Sequence, residues 1–166
     1  INKARKKARI TAGKQFSQSI FNALGIEVVG IWDFNEGSGN IANDTSGYEN
    51  DGIIYGASWT EGILGKALYF DGINDYVDCG NDENLMVGQP SGSSGLSLEA
   101  WIKPSCVAIS DAGIVVCGAL RYGLTYHNGA AVWFYISGGG NSVNWRVPCN
   151  QWHHVIGTWD GTTNAD

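Results

Sequence analysis

From residue 2 to residue 24, apolar side chains recur at every fourth position: Ala4, Ala8, Ala12, Phe16, Ile20 and Leu24. Side chains four apart lie above one another on a helix, so this ladder predicts one amphipathic helix over 2–24. No proline interrupts it, and Gly25 stands where an αL residue would end it. From Val28 the period shortens to two. Val28–Phe34 is a β-rich run, and the clusters 35–40 and 44–52 read as turns. Ala67–Phe70 and Tyr76–Cys79 flank a further turn at 71–75. Leu96, Leu98, Ala100 and Ile102 alternate with Ser97, Glu99, Trp101 and Lys103, a half-buried strand stopped by Pro104. Ile114–Cys117, Gly123–His127, Ala131–Ile136, Ser142–Val147 and Trp152–Trp159 continue the series, with a type I′ hairpin signal at His127-Asn128-Gly129. Short strands at regular spacing predict a mainly β, antiparallel sandwich behind an N-terminal α-helix.

Charge divides the chain at the same place. Residues 1–26 carry six basic residues and no acid, and residues 27–166 carry four bases against sixteen acids. The chain therefore reads as a basic helix, 1–26, attached to an acidic β domain, 27–166. A β domain at −12 repels phosphate, which argues against nucleic acid. No run of about 18 apolar residues exists, so membrane contact requires a segment upstream of Ile1. The start at Ile1 instead of Met is itself read as the loss of something that preceded it.

Cys79, Cys106, Cys117 and Cys149 have no CxxC spacing, which disfavours a zinc cluster. Spacing alone leaves three complete disulfide pairings open, alongside buried free thiols. His153 and His154 are adjacent on a strand, so their side chains point to opposite faces and do not share an ion. No GxSxG elbow, HExxH pair or phosphate loop is present.

The blocks IWDFNEGSG (31–39), DTSGYENDG (44–52), GKALYFDGINDYVDCG (65–80), LSLEAWIKP (96–104) and QWHHVIGTWDGT (151–162) resemble, in that order, laminin-G-like domains. These belong to the concanavalin A-like lectin/glucanase superfamily, and the resemblance covers residues 28–163. It implies a two-sheet jelly roll, and since such domains continue past the WDGT turn, a sandwich truncated at its C-terminus. Glucanases of the superfamily work with carboxylates about two residues apart on one strand; here Glu99 stands alone, which implies a chain that is not an enzyme. Lectin-like relatives stack sugars on exposed aromatics, which makes Trp59, Trp133 and Trp145 candidate ligand platforms, while Trp32, Trp101, Trp152 and Trp159 read as core. Many relatives hold a structural Ca²⁺, and Asp44, Asn50 and Asp75 in the Asp/Asn-rich turns are the candidate ligands. The same residues also suit ordinary turns, whose backbone they cap. Pentraxin-type calcium binding is not implied, because the corresponding stretch 119–128 has no acid.

The resemblance also selects among the cysteines. Pentraxins bridge the strands matching 96–103 and 152–159 at positions near Glu99 or Ala100 and Ile156. Antiparallel partners keep a constant index sum, and 99/156 shares the sum of 255 with 106/149. A Cys106–Cys149 disulfide is therefore implied, with Cys79 and Cys117 left unassigned. Segment 1–25 resembles the helix that follows the apolar stem of type IV pilins and pseudopilins, which implies filament subunits as partners through residues 2–24. Together these expectations describe a non-catalytic extracellular or cell-surface protein. It displays a lectin-like sandwich for adhesion, with a glycan or protein ligand. The alternative is a carbohydrate-binding module of a secreted glycan-degrading enzyme.

Overall fold

The change of hydrophobic period is carried into the backbone. The computed structural model describes residues 3–24, 28–87, 95–106, 112–118, 122–127, 131–136 and 141–161. Helix α1 spans Lys3–Leu24. Among its ladder residues Ala4, Ala8, Ala12 and Phe16 are exposed. The side chains of Ile20 and Leu24, the cap expected at Gly25 and the charge seam at 25–27 lie outside the described residues. The strands that follow are all antiparallel, and the chain divides into two compact units, Ile1–Asn84, which includes α1, and Leu85–Asp166.

The first unit holds β1 (Ile41–Ala42), β2 (Gly52–Tyr55), β3 (Ser58–Glu61), β4 (Lys66–Tyr69) and β5 (Tyr76–Asp78). β1, β2 and β5 form one sheet in that order, and β3 pairs with β4. Two sequence expectations change here. Val28–Phe34 does not become a strand. Its only ladder contact is a bridge between Trp32 and Asp44, because the Ile31 amide donates to the Asp44 side chain and Phe34 takes a positive φ of 52°. Conversely, β2 and β3 were hidden by their brevity and by Gly52 and Gly56. They supply the partners of β5 and β4, which flank the 71–75 turn without pairing with each other.

The second unit is itself a sandwich. Its four-stranded sheet has the order β10-β9-β8-β7, where β7 is Ala112–Cys117, β8 Tyr122–His127, β9 Ala131–Ile136 and β10 Asn141–Arg146. Facing it is the pair β6 (Leu96–Ile102) and β11 (His153–Trp159). The β8–β9 pairing is the hairpin predicted from 127–129, although 128–130 lie outside the described residues. Leu96, Leu98, Val155 and Trp159 from the pair meet Tyr122, Leu124, Tyr126, Val132, Phe134 and Ile136 from the larger sheet in one core. Gly157 lets the layers meet: a Cβ there would fall within 3 Å of three Phe134 side-chain atoms.

β6 and β11 align from Leu96↔Trp159 to Ile102↔His153, every pair summing to 255. Just beyond that ladder Cys106 and Cys149 are joined by a disulfide, Cα to Cα 5.1 Å. Asn150, in the left-handed region at φ 58°, donates its amide N–H to Pro104 O at 2.7 Å and its side-chain N–H to Cys106 Sγ at 3.0 Å. Closing a loop with a sequence separation of 43 is worth about 4 kcal/mol on the chain-entropy account. Cys79 and Cys117 are free thiols. Burial first, then the charges of Asp78 and Asp44, push the Cys79 thiol up to about 11.

Because Phe134 is completely buried against Gly157, Gly157→Ala is expected to overpack the sandwich and cost about 1–3 kcal/mol. Urea unfolding should show a lower midpoint at unchanged slope, and an unchanged midpoint would show that the layers accommodate the methyl group.

Candidate functional site

Pinning Phe134 inward fixes what the other side of the four-stranded sheet displays, because alternate residues on a strand point to opposite faces. Val132, Phe134 and Ile136 of β9 belong to the core, so Ala131, Trp133 and Tyr135 face away from it. Registration supplies their neighbours: Thr125↔Trp133↔Asn144 across the middle, Gly123↔Tyr135↔Ser142 on one side and His127↔Ala131↔Arg146 on the other. Trp133 therefore stands at the centre of a grid rich in hydroxyl, amide, imidazole and guanidinium groups.

The groups around Trp133 hold one another in place. The His127 ring lies 5.0 Å from the Trp133 ring, tilted by 38°. His127 Nε2 is 2.8 Å from the Thr125 hydroxyl, which is itself buried. Tyr135 covers Gly123, where any Cβ would collide with the phenol ring. Burial raises the Tyr135 hydroxyl above its usual pKa, so it stays protonated and able to donate. Trp133 is half-buried, whereas Ser142, Asn144 and Arg146 are exposed. An indole face ringed by directional polar groups is the chemistry that recognises a sugar: the apolar C–H face of a pyranose packs on the ring while its hydroxyls meet the rim.

The other candidate platforms lie elsewhere. Trp59 belongs to β3 in the first unit, where its indole N–H donates to Gly39 O at 2.9 Å. Trp145 packs against the core together with Val143, so it faces away from the Trp133 side of the sheet. The reason for that placement is parity: Val143, Trp145 and Val147 share one face of an alternating strand. Trp101, read as core, sits opposite Leu96 and Leu98, stacked on His154 with ring centroids 4.8 Å apart. His154 Nε2 approaches Glu99 Oε1 to 2.9 Å. His153 faces the other way, and its Nε2–H donates to Pro148 O at 2.6 Å. Trp32 donates its indole N–H to Asn50 O at 2.8 Å, and Trp159 is core.

The calcium candidates are loop-building groups. Asp44 Oδ1 accepts from the Ile31 and Ser46 amides, and Oδ2 from the Ser46 hydroxyl and the Asn50 amide, at 2.7–3.0 Å. The buried Asn50 side chain donates to Val29 O and to Asn84 Oδ1, both at 2.8 Å. Asp75 belongs to a different turn, where Oδ2 accepts from the Asp71 amide at 2.9 Å. A calcium ion wants six to eight oxygens turned towards one point. Both Asp44 oxygens are occupied by the loop's own donors. Among the described residues no group of three or more His, Cys, Asp or Glu is placed to hold a metal ion.

Thr125, His127, Tyr135, Asn144 and Arg146 were not singled out from the sequence. Their signal was there in the alternation of β8 and β10, once one inward residue of each strand is known. In comparison with known proteins a family model, Laminin_G_3, described as concanavalin A-like lectin/glucanases superfamily, matches residues 70–165. The match includes the Trp133 face and excludes α1. No curated protein and no solved structure matches the chain.

Asp44 generates a stability prediction. Burial alone would raise its pKa, but the hydrogen bonds from Ile31, Ser46 and Asn50 outweigh that and hold it below its ordinary 3.8. A carboxylate depressed on folding stabilises the protein above its unfolded value, and that contribution is lost as the pH falls below 3.8 through the lower folded value. Asp44→Asn is expected to cost about 1.5–3 kcal/mol at neutral pH, as for lost hydrogen bonds to a charged group. Thermal melting of both proteins between pH 7 and pH 3 checks this: the gap should narrow on acidification.

Proposed function

The chain belongs to the Laminin_G_3 family of the concanavalin A-like lectin/glucanases superfamily, and from that premise we propose that it is a non-catalytic recognition protein whose Trp133 face binds glycans. The observation that carries this reading is the position of Trp133 between Thr125 and Asn144, with His127 against its ring. A platform of that kind supplies stacking for the sugar and donors and acceptors for its hydroxyls without any reacting group. Further support comes from Glu99. It is the one acid on the strands of the sandwich unit among the described residues, and it lies beside His154 on β6/β11 rather than beside a second carboxylate. Retaining and inverting glycosidases both need two.

The setting we propose is outside a cell. The Cys106–Cys149 disulfide supports it, since such bonds persist in oxidising compartments. In this reading α1, basic and exposed at Arg5, Lys7 and Phe16, is the pilin-like segment through which the sandwich is assembled and displayed.

Glycan-array binding followed by calorimetry tests the recognition surface. Trp133→Ala should weaken binding at least about tenfold, which corresponds to the loss of roughly 1.4 kcal/mol of stacking, while Trp59→Ala should leave it unchanged. The same glycans should release no reducing sugar on prolonged incubation. Full binding by Trp133→Ala, or no glycan bound by the native protein, would sink the proposal.

A further inference from the structure

The first unit exposes an apolar sheet face. Ile41 pairs with Ile53, and Tyr55 with Tyr76, so all four side chains emerge on one side of β1-β2-β5. They are 40%, 42%, 42% and 52% exposed, and the two tyrosines stack with centroids 4.7 Å apart. The opposite side carries the buried Ala42 and Ile54. A contiguous apolar patch of this kind marks a surface that meets a partner.

Charge says which partner. Residues 28–84 hold eleven acids and a single base, Lys66, which is paired to Glu61. Asp78 shares the apolar face, directly across from Ile53, and is exposed. The complementary surface is in the same chain. α1 has six basic residues and no acid, exposes Arg5 and Lys7, and carries Phe16 at 54% exposure. Among the described residues of α1, none belongs to the buried hydrophobic core. The sheet face is apolar and acidic, and the side of α1 that carries both Phe16 and Arg5, three turns apart, is apolar and basic.

We propose that α1 of one copy docks on the β1-β2-β5 face of a second copy, Phe16 against Tyr55 and Tyr76 and the basic residues against Asp78 and its acidic surroundings. The inference deepens the assembly role proposed for α1 and rests on that part of the reading alone, not on glycan binding. Such a contact is heterologous: each copy offers one helix and one sheet face, so the association propagates head to tail unless a rotation closes it. Its electrostatic part weakens as salt shortens the Debye length from about 10 Å at 0.1 M to about 3 Å at 1 M.

Sedimentation velocity of the full chain tests the contact. At micromolar concentration and low salt the native protein should sediment as species larger than a monomer, and at 1 M salt as a monomer. Phe16→Asp, Arg5→Glu with Lys7→Glu, and Tyr76→Asp should each be monomeric at low salt with unchanged circular dichroism. If Tyr76→Asp melts early, Ile53→Lys on the same face replaces it. An equimolar mixture of Phe16→Asp and Tyr76→Asp should form a dimer and nothing larger, since only one intact helix and one intact face remain per pair. If the sheet-face variants assemble like the native protein while Phe16→Asp does not, helices pack on helices; the docking proposal falls and the assembly role stands. A native chain that is monomeric throughout overturns both. So does one that is monomeric in solution and sediments only with anionic lipid vesicles, since its partner is then a membrane surface.

Discussion

The contact between Phe134 and the backbone of Gly157 is the constraint on which the sandwich unit rests. It sets how closely β11 approaches the four-stranded sheet, and it holds β9 in a single rotation about its own axis. With period-two alternation, fixing Phe134 inward obliges Trp133 and Tyr135 to point outward. The face proposed for recognition is thus a by-product of core packing. The ladder from Leu96 to Ile102 then carries β6 along with β11, so that the chain leaving one strand and the chain entering the other converge where Cys106 meets Cys149.

Charge is not spread evenly over this architecture. The eleven acids of 28–84 contrast with the second unit, where residues 85–166 hold Glu99, Asp111, Asp160 and Asp166 against Lys103, Arg121 and Arg146. A nearly balanced unit presents the aromatic and hydroxyl-bearing face, and a strongly acidic one presents the exposed tyrosines. Neutral sugars are recognised by hydrogen bonding and stacking, which a strong net field neither helps nor hinders. In the docking proposed for α1, by contrast, attraction between a basic helix and the acids of 28–84 would act over several ångströms before any side chain touches. Each unit suits the kind of contact assigned to it.

How much of this was legible in the sequence depended on the length of each element. The alternation in 96–103 and 152–159 is long enough to fix both the strands and the inward residues, and the register follows once the two are known to pair. β2 and β3 were illegible because four-residue strands bounded by Gly52 and Gly56 look like turns. Val28–Phe34 misled in the opposite direction: its β-branched content is real, but Ile31 and Trp32 spend their hydrogen bonds on Asp44, Thr45 and Asn50 rather than on a ladder. At the candidate site, Trp133 was singled out for being an aromatic and not for its position. The faces taken by Trp145 and Trp101 were readable from their parity with Val143 and with Leu96 and Leu98. The polar neighbours of Trp133 needed the strand pairing, which sets Thr125 from the preceding strand and Asn144 from the following one beside it.

Cys79 bears on how the protein reaches this structure with the right bridge. With its thiol held near 11, only about one molecule in ten thousand carries a Cys79 thiolate at neutral pH. Thiol–disulfide exchange proceeds through the thiolate, so once the first unit is folded Cys79 is a very slow attacker of the Cys106–Cys149 bond. Burial of Cys79, reinforced by the charges of Asp78 and Asp44, thereby acts as a chemical safeguard, keeping a spare sulfur from reshuffling the linkage the sandwich has made.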